Sequence, residues 1–566
     1  MNIILLSASD EHRIEPLFLN LTGIEPLFLT LTGIEPLFLT LTGIGNTFEA
    51  GHLIRLFHNV EPTVRMASGM TGHVSRLGES SVEPHGSLSC NAADTFTGNP
   101  LHEASPGIHI FLDASTAEGI FTATVSIMRH GREIGHRVLS FLIARTPSAS
   151  DMFLQSRKLC VRTALYQALS DAFGIVLPWG SLTGVRPVKL AASCLDAEMN
   201  QDGIHRLLQE RTGMQADKAA LVLAVANRER PFLKPPDKSV SIYVGIPFCA
   251  TRCLYCSFTS YPEKIYGHLI PAYLEALAKE VRFVGKWLAD SGRTISSLYI
   301  GGGTPTSLSA EKLNTLLSLL ANELPVHAAH EYTVEAGRPD SVDQEKLHLI
   351  KAAGASRISI NPQTMRKETL RRIGRDHTPE QVENAFAMAR EIGFDNINAD
   401  LIAGLPGETP DHFRTTLARM APLMPDSLTV HTMAVKRASR LHETIVDGSA
   451  EPSTPDASVQ EMIADAADFA ANRGLYPYYL YRQKNILANL ENTGYARPGC
   501  ECRYNVETMS ERQTIIAVGS GAISKVSHDG RRLERTFNVR ELSHYIGRID
   551  EMVERKRELL ERLLPG

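Results

Sequence analysis

The chain reads as an α/β protein. A run of six strand–helix units predicts a parallel sheet with outer helices, preceded by an α+β N-terminal domain and followed by a small C-terminal covering domain. Three observations carry this. From Ser239 onward, short apolar runs alternate with amphipathic stretches of helical period. Before Ser239, residues 107–143 alternate in the manner of strands. After Gly448 the strand–helix alternation stops. The expected divisions are 1–44, 45–236, 237–446 and 447–566.

Residues 14–43 hold three decapeptides, IEPLFLNLTG, IEPLFLTLTG and IEPLFLTLTG. Pro16, Pro26 and Pro36, with Gly23, Gly33 and Gly43, break any continuous helix. Ten residues is too short for most stacked repeats. The preferred reading is a tandem duplication or gene-model artefact; a short β-solenoid or a partner-binding arm is the alternative. In the next region, Gly107–Ser115 and Phe121–Ile143 read as strands, with a hairpin turn at His130-Gly131-Arg132. Ser156–Phe173 reads as a helix, Leu177–Gly180 as a turn and Asp202–Arg230 as a second helix. Pro231, Pro235 and Pro236 mark a boundary.

The barrel region is expected to run from the strand Ser241–Ile246 through the helix Pro271–Leu288, the strand Ser297–Ile300, the strand Glu331–Ala336, the helix Ser341–Ala353, the strand Arg357–Ile360, the helix Pro379–Ile392, the strand Asn396–Ile402, the helix Pro410–Leu423 and the strand Ser427–Val435. Gly448–Pro455 reads as a linker. The strands Pro477–Arg482 and Thr514–Val518 and a charged helix, Val539–Leu564, close the chain.

Composition excludes several classes. The 566 residues are 43% hydrophobic and 21% charged with a net charge of -5, and no long basic run invites nucleic acid or an anionic membrane. No stretch reaches the roughly 18 apolar residues of a membrane span, and no signal peptide is expected. Eight cysteines in a chain this long form no disulfide framework, which points to a reducing compartment, the cytoplasm.

Three of those cysteines form the most informative motif, Cys249-xxx-Cys253-xx-Cys256, just after the first barrel strand. Three thiolates on one loop hold three irons of a 4Fe–4S cubane and leave the fourth iron open to a small molecule. The competing reading is zinc, which usually takes four Cys/His ligands in two clusters; Cys500 and Cys502 form a lone CxC and read as free thiols. One unit later, Gly301-Gly302-Gly303-Thr304-Pro305-Thr306 follows a strand, where backbone without Cβ atoms approaches a ligand closely. Glu335, Gln363, Arg375 and Asp400 fall within or just past later strands. Singly each is a polar group at a sheet end; together they suggest one face of a binding site.

Tyr243, the cysteine triplet, Gly301–Thr306 and Gln363, with the strings GIPFC, RCLYCSFTSYP, EAGRPD, INPQTM, GRDHT, LTVHTMAVKRAS, YYLYRQKN and LPWGSLTGVRP, resemble the oxygen-independent coproporphyrinogen III oxidase family of radical S-adenosylmethionine (SAM) enzymes, most nearly its coproporphyrinogen dehydrogenase branch, the HemZ type. The resemblance covers about residues 239–530. It implies an incomplete (β/α)6 TIM-like barrel, a 4Fe–4S cluster on Cys249, Cys253 and Cys256, and one or two SAM molecules. One SAM would touch Tyr243, Gly302 and Glu335. The other would touch Tyr255, Gly303, Thr304, Gln363, Arg375, Asp400 and Ala434, with Ile523 closing the adenosine pocket. The implied reaction is anaerobic oxidative decarboxylation of coproporphyrinogen III propionates to vinyls, fed by a reductant such as flavodoxin or ferredoxin. No side chain beyond the cluster ligands needs to act as acid or base.

Two departures keep other readings open. Phe258 stands where the family's oxidases carry a further cysteine, as in relatives that bind heme. Yet Tyr481-Arg482-Gln483-Lys484-Asn485 lacks the histidine of those heme chaperones. A heme-binding protein, or a radical SAM enzyme acting on another substrate, therefore stays beside the oxidase. For substrate carboxylates the cations to consider are Arg186, Lys189, Lys436, Arg437, Arg482 and Lys484, with Arg482 and Lys484 preferred.

Overall fold

The structure, a computed structural model, describes residues 37–42, 62–66, 108–117, 120–129, 132–142, 157–184, 186–233, 238–436, 438–446, 454–483, 485–528 and 532–563. The first two decapeptides, the 130–131 turn, most of the expected linker at 448–455, Arg437 and Lys484 lie outside the described residues.

Met1–Thr183 and Ser193–Ala219 form one compact unit. Its strands are β1 (Leu37–Thr42), β2 (Pro62–Met66), β3 (Ile108–Ala117), β4 (Ile120–Arg129) and β5 (Arg132–Leu142), in the order β2-β1-β3-β4-β5. The β4–β5 hairpin closes on the pair Arg129–Arg132, as the sequence leads one to expect. β3 and β4 turn alternate residues inward (Ile110, Leu112 and Ala114; Phe121, Ala123, Val125 and Ile127) against Val161, Leu165 and Leu169 of helix α1 (Arg157–Phe173). β1 is made of residues 37–42 of the third decapeptide and lies between β2 and β3, parallel to both. Its apolar–Thr alternation has the period of a strand, so this copy belongs to the sheet.

The helix expected over Asp202–Arg230 is two. After α2 (Val188–Asp196), α3 (Gln201–Thr212) ends at Gly213 in the left-handed region (φ 71°), and α4 (Ala216–Glu229) starts afresh. A Cβ on Gly213 would lie 2.4 Å from the Tyr166 ring. Only glycine satisfies both demands, and it stops the helix.

Gly184–Ala192 and Ala220–Gly566 form the second unit, on an eleven-stranded sheet. Strand β6 (Ser239–Ile246) leads to a two-residue pair, β7 (Phe248–Cys249) and β8 (Tyr261–Pro262), that brackets the cysteine loop. Then come helix α5 (Ile270–Ser291), β9 (Thr294–Gly302), helix α6 (Ala310–Glu323), β10 (Glu331–Glu335), helix α7 (Gln344–Ala352), β11 (Arg357–Ser359), helix α8 (Pro379–Glu391), β12 (Ile397–Ala403), helix α9 (Pro410–Met420) and β13 (Ser427–Thr432). Strands β6, β9, β10, β11, β12 and β13 pair side by side and parallel, the incomplete (β/α)6 barrel. Their near-continuous burial is what parallel strands covered on both faces require. Helix α6, unassigned from sequence, fills the interval between β9 and β10.

The 447–566 region, expected as a covering domain, extends this sheet at both ends. After helix α10 (Asp456–Ala471), β14 (Tyr476–Tyr481) and β15 (Asn492–Ala496) add beside β13. Past helix α11 (Arg503–Ser510), β16 (Ile515–Val518), β17 (Ile523–His528) and β18 (Arg532–Phe537) add beside β6. The unpaired N–H and C=O groups of β13 and β6 explain why these strands dock there. The order runs from β14 to β18 without closing. The charged terminal helix is broken into α12 (Leu542–Gly547) and α13 (Ile549–Glu561). Lys556 of α13 is fully buried, 3.1 Å from Glu280 of α5. Tyr545 and Asn538 also donate to that carboxylate, each at 2.7 Å.

Candidate cofactor site

The C-terminal ends of the parallel strands surround a cavity of about 420 Å³. Cys249, Cys253 and Cys256 all line it. The loop is held from several sides. Leu254 N–H donates to Ile373 O at 2.9 Å and Thr251 Oγ1 donates to Gly374 O at 2.8 Å. Arg338, 2% exposed, grips Asp340 with two N–H groups and donates from Nη1 to Thr251 Oγ1 at 2.7 Å. Burial raises the Cys249 thiol above its ordinary pKa and pushes Cys256 up to about 11, and the nearby Cys253 raises both further. Three thiols thus share one pocket. A multi-iron cluster takes such a donor set, its thiolates binding separate metals.

The glycine run explains itself against this loop. Gly302 has φ 112°, and a Cβ on Gly303 would lie 2.9 Å from Cys249 Sγ and 2.5 Å from Phe248 O. Gly303 N–H donates to Ile246 O at 2.7 Å, Thr304 N–H donates to Phe248 O at 2.8 Å, and Thr304 Oγ1 lies 3.4 Å from Cys249 Sγ. Glycine is therefore required where two backbones and a thiol meet.

Tyr243, Tyr255, Gly302, Gly303, Thr304, Glu335, Gln363, Arg375, Asp400 and Ala434 all line the same cavity; Ile523 does not. Gln363 takes a left-handed conformation (φ 68°). It bridges β11 to β12 through Gln363 N–H to Asp400 O (2.9 Å) and Ile402 N–H to Gln363 O (3.0 Å), and leaves its own Oε1 buried and unpartnered. Arg375, 6% exposed, stands beside Tyr255 and Cys253, and its Nε is also buried without a partner. Orphaned polar atoms on residues that line a cavity are what a polar ligand would satisfy.

The two carboxylates differ. Burial pushes Glu335 up to about 7, although Tyr299 donates to its Oε1 at 2.6 Å. Burial would raise Asp400 too, but His431, 3.7 Å away, and Asn398, donating at 2.7 Å, hold it below the usual carboxylate range.

Of the described candidate cations, Lys436 alone reaches the cavity, its Nζ 5.7 Å from the ring centroid of Phe258. Arg482 is a correction. It is buried and donates to Asn489 and to Leu490 O, so its charge is spent inside the fold. Arg186 and Lys189 pair with Glu511. Sequence reasoning missed Arg338, Tyr299, His431 and Tyr504, which also line the cavity. Arg338 had a signal, three residues past Glu335 at a strand end. Tyr504 had none, because helix α11 reaches the cavity from far downstream. The rings of Tyr243, Tyr299 and Tyr504 stack, with centroids 4.6–6.3 Å apart.

Known proteins resemble the chain in sequence. The Radical SAM superfamily profile matches residues 243–420. The chain is 40% identical over 399 residues to the oxygen-independent coproporphyrinogen-III oxidase-like protein HemZ of Bacillus subtilis, covering 69% of this chain and 78% of that protein. It is 32% identical over 315 residues to the heme chaperone HemW of the same organism, covering 55% and 76% respectively. The solved structure of coproporphyrinogen III oxidase (HemN) from Escherichia coli aligns at 26% identity over 59% of this chain and 73% of that one, with a TM-score of 0.46. Radical SAM proteins carry a 4Fe–4S cluster and SAM. The chain belongs to the radical SAM family of oxygen-independent coproporphyrinogen-III oxidase-like proteins.

Proposed function

We propose that the protein is a radical SAM oxidoreductase that decarboxylates the propionates of coproporphyrinogen III to vinyls. One observation carries the reading: a single cavity joins three cysteine thiols, a glycine cradle and a facing polar set, with Lys436 at its wall beside Arg338, Arg357 and Arg375. With cluster and SAM bound, the cofactors supply a one-electron cleavage that yields a hydrogen-abstracting radical. The chain's own residues bind and orient. Cys249, Cys253 and Cys256 hold the cluster, and Arg338 fixes their loop through Thr251. Gly302, Gly303 and Thr304 admit the methionine end of SAM. Arg375 and Gln363 answer its polar groups with their unpartnered atoms. Tyr243, Tyr255, Glu335, Asp400 and Ala434 complete the wall. Lys436 receives a propionate while Phe258 offers a flat apolar face to the macrocycle. Anaerobic protein reconstituted with iron and sulfide, then given reductant, SAM, coproporphyrinogen III and an electron acceptor, is expected to release protoporphyrinogen IX, carbon dioxide, methionine and 5′-deoxyadenosine, the electron left on the substrate after hydrogen loss passing to the acceptor. Deoxyadenosine without vinyl product would overturn the substrate and keep the radical chemistry.

A second reading, heme carriage, is favoured by Phe258 and by the similarity to HemW proteins. A stoichiometric, saturable Soret shift on heme titration, with no product in the assay above, would select it.

A further inference from the structure

The LTGVRP string is absorbed by none of the chemistry above, and its Arg186, with Lys189 just beyond it, meets a cluster outside the cavity. Arg186 Nη1 lies 2.6 Å from Glu511 Oε1, Lys189 Nζ 2.5 Å from Glu511 Oε2, and Arg535 Nη2 3.0 Å from Glu511 Oε1. Lys525 completes the group, its charge repelled by Arg186, Arg535 and Lys189 and attracted by Glu511. Among the described residues, four cations thus gather on one carboxylate, a surplus of three positive charges.

Two features mark this as more than a surface salt bridge. Lys525 and Arg535 are directly opposed on the antiparallel strands β17 and β18, a like-charge pairing that costs stability when nothing neutralises it. Arg186 Nε is buried with no hydrogen-bond partner. Burial and the neighbouring Arg186 also push Lys525 down to about 8, the response of an ammonium short of counter-charge. The group stays open to solvent, with Lys189 and Arg535 side chains 46% and 41% exposed.

We infer that Arg186, Lys189, Lys525 and Arg535 form a second binding site for a compact oxyanion of two or more negative charges, phosphate- or carboxylate-bearing. Two guanidinium forks and two ammoniums suit such a ligand better than a single carboxylate does. Glu511 caps helix α11 in the left-handed conformation (φ 56°), and that helix carries Tyr504, Asn505 and Met509 into the cofactor cavity. An anion drawing on the cations that hold Glu511 therefore acts on the end of an element of the cavity wall.

The test is isothermal titration of the full chain, holo and anaerobic, at fixed ionic strength, with inorganic pyrophosphate in one arm and citrate in the other. Saturable one-to-one binding is expected, weakened by about tenfold or more in K525M and in R535A. Tighter pyrophosphate would identify a phosphate ligand and tighter citrate a carboxylate one. E511Q, which removes the resident carboxylate, is expected to tighten binding. No saturable heat at millimolar anion, or equal affinity in K525M and R535A with unchanged melting temperature, would overturn the site. The binding readout needs no turnover, so it stands or falls apart from the coproporphyrinogen reading.

Discussion

Arg338 Nη1 donates to Thr251 Oγ1 at 2.7 Å while the same guanidinium grips Asp340, so the end of β10 holds the middle of the cysteine loop. The arginine is 2% exposed. Its removal strands a partly buried carboxylate and frees the loop. R338A is expected to lose roughly 2 kcal/mol or more of local stability. Iron bound per chain after anaerobic reconstitution should fall severalfold, with R338K recovering part of it. Full iron content in R338A would show that Cys249, Cys253 and Cys256 need no such support.

C253S removes one thiol of the three. The expected result is loss of the brown cluster absorbance and of all SAM cleavage, read by visible spectroscopy and by deoxyadenosine release. A variant with undiminished cluster content would refute the ligand assignment.

Glu335 gives a pH signature. Burial raises its carboxyl from 4.5 to about 7. A raised folded value means that its contribution to stability is complete below the unfolded value and disappears as pH climbs through about 7. The ligand-free protein should thus melt at lower temperature as pH rises through this window. If Glu335 binds SAM as proposed, SAM affinity should rise over the same window. E335Q should flatten both curves; a wild-type affinity that ignores pH there would contradict the role.

Lys436 is the described candidate cation at the cavity. K436M should raise KM for coproporphyrinogen III by about tenfold, the loss of one charge-assisted hydrogen bond, and leave SAM cleavage intact. Steady-state assays at several substrate concentrations separate the two effects.

Lys556 and Glu280 form a buried pair far along the chain from the cysteines. K556M leaves Glu280 buried with only neutral donors. Chemical denaturation should report a loss of about 3–5 kcal/mol. Double replacement by apolar residues should recover much of it.

The barrel was legible because its strands are apolar runs separated by helices of clear period, and the residues that line the cavity because they sit at strand ends or on a cysteine spacing with few other uses. What stayed hidden depended on contacts between distant segments. Arg482 looked available for substrate until Asn489 and Leu490 were found to take its hydrogen bonds. Tyr504 reaches the cavity only because β15 and β16 dock on opposite ends of the parallel strands, a pairing that no local pattern encodes. Residues 37–42 of the third decapeptide form a strand between two others, which the repeat pattern alone did not assign.

A sheet that never closes must also resist growth. Its outermost ladders could in principle recruit a strand from a neighbouring chain. On β14, Pro477 lacks an amide hydrogen, and the register shifts between Pro477 and Tyr479. On β18, Arg532, Glu534 and Arg535 crowd the rim with charge. Neither margin offers a neighbouring polypeptide an uninterrupted, uncharged template, so the open barrel avoids the fibre-forming hazard that its incompleteness would otherwise bring.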